Sequence, residues 1–284
     1  MQGIIRTIFQ SVKFYRKPVL YQILIIVLLT AVITGSLLTG ESVRQSLKRS
    51  SSERLGKTGI MISSGSRYFQ SELVRRLKDI SKIQCTGLVE LTGFCQNINS
   101  QKGAVNAHIY GVNNDFFLFH GADPLSIKSG EVAVNIKLAQ YLNLNKGDEL
   151  IIRYPEIDDI PADAPFAPDR KAKSVVMKIG AILGPELVGN FSLYINQVTP
   201  LNIFININDL EDNGLKVNRL LVNKDFNNSI NTLYGVFKNT LKMTDIGLKV
   251  RTVKKTKESE LVSDRVFIDG TIADNISKLL PSSA

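Results

Sequence analysis

The 20 residues from Val19 to Leu38 carry no charge and are apolar on every side of a helix. At a rise of about 1.5 Å per residue, such a helix spans roughly 30 Å, the thickness of a bilayer's hydrocarbon core. The run exceeds the apolar core of a cleavable signal peptide, which has about 7–15 residues. Core helices of soluble domains are the other alternative, but they are usually shorter and amphipathic. We therefore predict a retained transmembrane helix.

The residues before this run form a short basic arm. Arg6, Lys13, Arg16 and Lys17 lie in residues 1–18, whose apolar positions are partly amphipathic. At least as many cations follow the run, between residues 44 and 57, but long domains are translocated largely regardless of their charge. The short arm therefore decides the orientation. We expect an inner-membrane protein with its N-terminus and residues 1–18 in the cytoplasm and its main domain outside, in the periplasm or its equivalent.

The apolar periodicity continues beyond the membrane segment. Val43, Leu47, Ser51 and Leu55 follow one another at intervals of four, which places them on one helix face. Gly56 comes next and is a typical C-terminal cap. We predict one helix from about residue 19 to 55, with residues 19–56 forming a membrane anchor and a stalk.

Small side chains recur inside the apolar run. Ala31, Gly35 and Thr39 lie four apart. This spacing lets a second helix approach closely in a membrane, although glycine is also generally common there. The face predicts helix packing within the bilayer, and the frequency of glycine in membrane helices is the alternative explanation.

Beyond residue 56 the apolar residues recur every two positions in some segments, as in strands, and about every 3.6 positions in others, as in helices. This alternation indicates an α+β fold. Residues 57–111 and 219–284 are predicted to form one α+β subdomain, and residues 112–218 a β-rich subdomain inserted into it. Residues 155–170 hold four prolines and several acids and are predicted to be an exposed loop. The pattern predicts strands at 59–63, 83–91, 107–112, 131–135, 149–154, 175–183, 201–205, 217–223 and 246–252, and helices at 69–80, 136–144, 226–241 and near 272–280. In the helix at 69–80, the apolar face is predicted to include Leu77 and Ile80, and Arg76 is predicted to lie outside.

Composition changes this interpretation little. The 284 residues are 44% hydrophobic and 21% charged, which is ordinary for a folded protein. The net charge of +9 comes from scattered cations, so a solvated surface explains it better than a nucleic-acid site. We expect no nucleic-acid partner. Membrane lipid is the partner that the apolar run implies.

The two cysteines, Cys85 and Cys95, lie in a region predicted to be rich in strands. In an oxidising compartment they could pair across a hairpin, but sequence spacing does not fix the distance that a disulfide requires. Buried free thiols are the alternative. The sequence leaves both open.

Catalytic and cofactor motifs are absent from the sequence. It contains no phosphate-binding loop, no nucleophile elbow and no zinc-protease motif. The two histidines, His108 and His120, are isolated along the chain, and with two cysteines they supply no recognisable metal-ligand spacing. Acids in the 155–170 loop lack the tight glycine turn of a calcium loop. Phe116 and Phe117 are predicted to pack in a core. We expect no enzyme, no cofactor and no metal. A membrane-tethered hydrolase is the weakest alternative, since its groups would have to meet in the fold.

Two stretches resemble a known family. GSLLTGESVRQSLKRSSSERLG (35–56) and GEVAVNIKLAQYLNLNKGDEL (130–150) resemble the permeases of ABC transporters of the MacB/FtsX type. The first matches the segment after their first membrane span, and the second matches their extracytoplasmic core region. Together the stretches are more specific than either one alone, and the resemblance extends over nearly the whole chain.

The resemblance implies a permease subunit with a porter-like α+β part and an inserted β-rich part outside the membrane. A separate cytoplasmic ATPase would bind it, a second permease copy would pair with it, and helix 19–55 would transmit movement. Family members have four or more spans and this sequence has one, so we expect it to be a fragment. The alternative is a single-span protein whose outer domain binds a partner as a sensor or assembly factor.

Overall fold

The computed structural model describes residues 5–6, 10–11, 13–65, 67–157, 172–194, 198–210, 215–226, 230–252 and 259–263. It divides into two compact units, residues 1–52 and 53–284. We call the second unit the head. It contains the strands and the remaining helices, whereas the first unit consists of the arm and most of one long helix.

The long helix, α1, extends without interruption from Arg16 to Leu55, which confirms the predicted continuous helix. It begins three positions earlier than predicted, because Pro18 is tolerated in a first helical turn, where its missing N–H is not needed. The chain then leaves the helix at Gly56, whose φ of +57° is left-handed. Glycine adopts this backbone angle without a Cβ clash.

Helix α1 is long and apolar enough to cross a membrane, with a mean hydropathy of 2.4 over its most apolar window. No residue of that window is buried within the chain. Among the described residues it is the one helix with this property. A core helix of a soluble protein would be mostly covered by its own chain, so the exposed apolar surface favours lipid as its surroundings.

The predicted packing faces of α1 are exposed in the single chain. Ala31, Gly35 and Thr39 are exposed, no described atom beyond the backbone of α1 lies within 4 Å of a Cβ built at Gly35, and the Thr39 hydroxyl donates to the Gly35 carbonyl at 2.8 Å. Val43 and Leu47 are exposed, while Ser51 and Leu55 are half-buried. Contacts with a second chain at either face stay predictions.

Short helices and many strands make up the described part of the head. The helices are α2 (Glu72–Ser81), α3 (Asn114–His120), α4 (Ile136–Leu142), α5 (Ile207–Leu210) and α6 (Ile230–Thr240). The strands are β1 (Thr58–Ser63), β2 (Phe69–Gln70), β3 (Cys85–Asn97), β4 (Gly103–Val112), β5 (Glu131–Asn135), β6 (Glu149–Pro155), β7 (Ala172–Leu183), β8 (Asn202–Asn206), β9 (Lys216–Val217), β10 (Arg219–Asn223), β11 (Leu248–Thr252) and β12 (Ser259–Ser263).

Six strands of the head close into a ring. The hydrogen-bonded order is β3, β4, β8, β5, β7 and β6, and the pairing of β3 with β6 completes the circle. The pairs β4–β8 and β5–β7 are parallel, and the other four are antiparallel. A closed barrel leaves its strands without free edges along the paired lengths.

A second layer branches from the same ring through β3. The first residues of β3 pair with β10, and β10 pairs with β1, both antiparallel. Helices α2 and α6 pack on one face of these three strands, with Leu73, Leu77 and Leu233 in the buried cluster. This layer corresponds to the α+β part predicted from the sequence.

Two buried clusters occupy the opposite faces of the strands. Ile109, Val134, Ile152 and Ile203 belong to the first, which fills the inside of the ring and continues beneath α2 and α6. The second lies outside the ring, where α3 and the segment around Phe191 cover it. Its largest members are aromatic: Tyr110, Phe116, Phe117, Phe191 and Phe204. Because successive residues of a strand face opposite sides, β3, β4, β5, β7, β8 and β10 contribute to both clusters.

The division at residues 112 and 218 stays a prediction. Strand β3 takes part in both the ring and the α2–α6 layer, and it is longer than the predicted 83–91 segment. Strand β4 likewise begins at Gly103 rather than 107 and belongs to the ring. Both strands had been predicted to belong to the α+β part alone.

The cysteines occupy one strand rather than two. Cys85 and Cys95 both lie in β3, and both are buried and free. Ten residues of extended strand separate them by roughly 30 Å, far beyond the 7 Å limit for a disulfide. The hairpin pairing considered for them is therefore wrong. Burial raises the pKa of Cys85 to about 11 and that of Cys95 to about 12, so both stay protonated thiols.

Helix α2 corrects one detail of the amphipathic pattern. Arg76, expected on the outside, pairs with the buried Asp245 of a 3-10 turn at Met243–Ile246. Ile80, expected inside, is 69% exposed. Arg76 supplies the cation that the buried Asp245 carboxylate requires.

Two sequence predictions fall on residues that the structure does not describe. Most of the acidic, proline-containing loop predicted at 155–170 lies in 158–171, and the helix predicted near 272–280 lies in 264–284.

Candidate functional site at the helix-to-head junction

The last turn of α1 belongs to the head and is bonded to it by its backbone. The Ser192 N–H donates to the Arg54 carbonyl at 3.3 Å, and the Arg54 guanidinium donates to the Val198 carbonyl at 3.1 Å. The final carbonyls of a helix have no partner within it. Here a head segment supplies one of those partners, so the helix end is attached to the segment that carries Phe191.

Lys57 is held from two sides. Its N–H donates to the imidazole Nδ1 of His120 at 3.2 Å, and its carbonyl accepts from the Lys224 N–H at 2.8 Å. His120 is the last residue of α3, and Lys224 follows β10 directly. The residue after the helix cap is therefore bonded to two separate elements of the head.

His120 is packed among aromatic rings. Its ring centroid lies 4.7 Å from that of Phe116, 5.0 Å from Phe119 and 5.2 Å from Phe191. Phe116 and Phe191 are fully buried. The aromatic cluster therefore fixes the imidazole that accepts the Lys57 N–H. We call Arg54, Gly56, Lys57, His120 and Ser192 the junction.

Gly56 is required at the junction for two reasons. Its φ of +57° disfavours every residue with a Cβ, and a Cβ built there would overlap the Nδ1 of His120. Gly121, with φ +78°, caps α3 on the other side and lies close to the Lys57 ammonium. The backbone can pass this closely to the imidazole only because the position has no side chain.

Burial, followed by the nearby Lys57 charge, lowers the pKa of His120 from 6.5 to about 4. The imidazole is therefore neutral at pH 7, with Nδ1 as an acceptor. Protonation would place a hydrogen on Nδ1, facing the Lys57 N–H, and would break the bond.

The junction is accordingly expected to weaken in acid. Unfolded histidine takes up a proton below about pH 6.5, whereas folded His120 does so only below about 4. The unfolded state thus binds more protons between these values. The contribution of His120 to the free energy of unfolding is fully present above about pH 6.5 and falls by on the order of 3 kcal/mol as the pH decreases to 4. Urea unfolding of the full chain in detergent, measured from pH 7 to 4, checks this.

The matched variant is His120→Phe, which keeps an aromatic ring without a titrating group. At pH 7 it should be less stable by about 1 kcal/mol, because the Lys57 N–H loses its acceptor. This deficit should disappear and then reverse in sign as the pH falls to 4, because the wild type loses more than about 1 kcal/mol through His120 and the variant does not. Parallel stability curves for the two proteins would show that His120 does not carry this pH dependence.

The sequence-predicted sites and the junction coincide only at the helix end. Leu55, the last residue of the predicted stalk face, ends α1, and Gly56 caps it. His120 was noted only as an isolated histidine, because 63 positions separate it from Lys57. Neighbouring Phe116 and Phe117 were correctly predicted to be buried, but no sequence signal connected them with the helix end.

Metal and catalytic sites were not expected from the sequence. In the described ranges, no group of three or more histidine, cysteine, aspartate or glutamate side chains is placed to hold a metal ion. The absence of enzyme activity stays a prediction.

No protein-family model matches this sequence, and no curated protein matches it. Among solved structures, the chain is similar to the periplasmic region of MacB from Actinobacillus actinomycetemcomitans. The TM-score is 0.42 and the identity is 13%, with 80% of this chain and 95% of that chain covered. A likeness of this extent identifies no family.

Proposed function

We propose that this chain is a membrane-anchored permease component of a transporter of the MacB/FtsX type. Its head would be extracytoplasmic, and α1 would couple the head to events in the membrane. The observation that carries the proposal is the continuity of α1 from its apolar segment to Leu55, followed by backbone bonds into the head. The resemblance of residues 35–56 and 130–150 to such permeases also supports it.

Continuity matters because an unbroken helix transmits displacement along its axis, whereas a flexible linker dissipates it. The residue after the cap is bonded to His120 of α3 and to Lys224 after β10. A displacement of the helix end would thus act on the aromatic cluster and on the α2–α6 layer together. In this proposal a cytoplasmic ATPase drives the movement, and a second permease copy packs in the membrane against Ala31, Gly35 and Thr39.

The test is purification of the tagged native gene product from its own membranes. We expect a nucleotide-binding subunit to co-purify. We also expect cross-linking between heads to change between ATP and ADP. A preparation that contains a stable partner but no ATPase would contradict the proposal and favour the single-span partner-binding protein.

Coupling through α1 has a separate test. A six-residue Gly-Ser insertion between Ser52 and Glu53 should abolish the nucleotide-dependent cross-linking change while the ATPase still co-purifies. The same insertion in the exposed turn after Asn99, away from the junction, should leave the change intact. An unaltered response in the first variant would rule out transmission through the helix.

A further inference from the structure

Among the strands that the structure describes, none pairs with one edge of β3 at its beginning, and this edge is called the unpaired edge below. β10 pairs with one edge of Cys85 to Leu88, and β4 pairs with the other edge only from Val89 onward. β4 cannot continue along this edge because it ends at Val112 and α3 begins at Asn114. In the described part of the head, no strand lies beside residues 85–87 on that side.

The backbone groups on this edge belong to Cys85 and Gly87. The Gln84 carbonyl accepts from the Asn223 N–H at 3.0 Å, so Gln84 faces β10. Hydrogen-bonding direction alternates along an antiparallel strand. The N–H and C=O groups of Cys85 and Gly87 therefore point away from β10, and the described residues provide no backbone partner for them.

The unpaired edge forms the floor of a groove between α2 and α3. Two cavities, of about 430 and 540 Å³, lie along it. The first is lined by Thr86 and Gly87, which are consecutive and therefore face opposite sides of the sheet, so the cavity lies at the strand edge rather than over one face. The second is lined by Gln84 and Cys85 in the same way. This shape fits one extended chain segment.

Thr86 is a second sign of a missing partner. The residue is 1% exposed and lines the first cavity, yet its hydroxyl has no hydrogen-bond partner in the described structure. Buried hydroxyls are normally satisfied. The backbone of a segment bound in the groove would supply a hydrogen-bond partner for the Thr86 hydroxyl.

The walls of the groove are mainly basic. Lys57, Lys78 and Lys82 line the second cavity, where Asp115 is the one acid. Lys78 pairs with Asp115 at 2.7 Å across the groove, and both side chains are partly exposed. Such a pair contributes little free energy, so a carboxylate of a bound segment can replace Asp115 as the partner of Lys78. No carboxylate of the described residues lies within ion-pair distance of Lys57 or Lys82. Carboxylates on an incoming segment would complement these two lysines.

We propose that the edge of β3 at Cys85–Gly87 binds an extended acidic peptide segment of a partner protein by strand addition. The segment pairs its backbone with Cys85 and Gly87 and places its carboxylates near Lys57 and Lys82. Backbone pairing supplies affinity, and the side chains select the sequence. The proposal rests on the head alone and is independent of the transporter proposal.

The probe is a fluorescein-labelled peptide of sequence Asp-Val-Thr-Val-Asp, added to the full chain in lipid nanodiscs. We expect saturable binding by fluorescence anisotropy. Two further peptides carry N-methyl groups on alternate amides, one on the odd positions and one on the even positions. One of them should bind at least tenfold more weakly than the unmodified peptide, because methylation removes the N–H groups that pair with β3 but keeps the charge. Hydrogen exchange at Cys85 and Gly87 should slow when the unmodified peptide is present.

Charge is tested separately. Lys82→Glu should weaken binding about tenfold, and Lys137→Glu, on the exposed face of α4, should not. The proposal would be overturned if the peptide did not bind saturably, or if the two N-methylated peptides bound equally well. It would also be overturned if inorganic phosphate, at the same concentration as the peptide, displaced the peptide. So would unchanged exchange at Cys85 and Gly87 under saturating peptide.

Discussion

Replacing Arg219 with alanine is expected to destabilise the head by about 3 kcal/mol. The Arg219 Nε donates to the Glu90 carboxylate at 2.9 Å, and the two side chains are only 14% and 5% exposed. Removal of one partner leaves a buried charge without compensation, which is the costly outcome for such a pair. In a domain of this size the loss should lower the melting temperature by about 6–12 °C. Thermal unfolding followed by circular dichroism measures it.

Arg219 also connects separate elements, which adds to the expected effect. Its guanidinium donates to the Ser63 hydroxyl at 2.8 Å at the end of β1. The Tyr194 hydroxyl donates to the same Glu90 carboxylate at 3.1 Å. Burial and the charge of Glu90 raise the pKa of neighbouring Tyr110 well above its ordinary value, as expected where water is excluded.

Two variants distinguish the effect of breaking the buried Arg219–Glu90 pair from the effect of losing any arginine side chain. Arg75→Ala removes an arginine from an exposed pair with Glu72, whose side chains are 72% and 47% exposed, and should cost less than about 0.5 kcal/mol. The double change Arg219→Met with Glu90→Gln removes both charges and should recover part of the loss. Equal destabilisation by Arg75→Ala and Arg219→Ala would refute this explanation.

Substitution of Gly56 by alanine is expected to cost about 3 kcal/mol. The left-handed φ of +57° accounts for about 1 kcal/mol of this. The rest arises because the new methyl group overlaps His120 Nδ1 and displaces the imidazole from the Lys57 N–H. Urea unfolding of the full chain at pH 7 measures the change.

Gly130→Ala is the matched control. Gly130 also has a positive φ, +79°, but no atom lies within 4 Å of a Cβ built there. Its cost should be limited to the backbone strain of about 1 kcal/mol. Because His120→Ala removes the overlapping ring, the double variant with Gly56→Ala should lose less than the sum of the single variants. Additive losses would show that Gly56 and His120 do not interact.

Local patterns predicted the elements of the chain well. The apolar run and the four-residue spacing up to Leu55 predicted α1, and alternation predicted Glu131–Asn135 and Glu149–Pro155 almost to the residue. These elements depend on propensity and on one buried face, which neighbouring residues encode. Helix α3 (Asn114–His120) was not predicted as a helix.

Contacts between distant segments could not be predicted in this way. Arg76 was expected on the surface until the fold placed Asp245 beside it, and Glu90 gave no sign of its pairing with Arg219. The cysteines were considered for a hairpin, whereas one long strand carries both. In each case the partner depends on strand order and register, which no local pattern contains.

The sequence by itself determined the uncharged helix and its cap, the α+β class and the lack of recognisable catalytic motifs. These follow from hydrophobic burial and backbone preference within a few neighbouring residues. Only the tertiary structure decided that β3 closes a ring, that His120 accepts the Lys57 N–H, and that no described strand pairs with the edge at Cys85–Gly87. Strand pairing joins residues far apart in the chain, and its register is set by packing of the whole head.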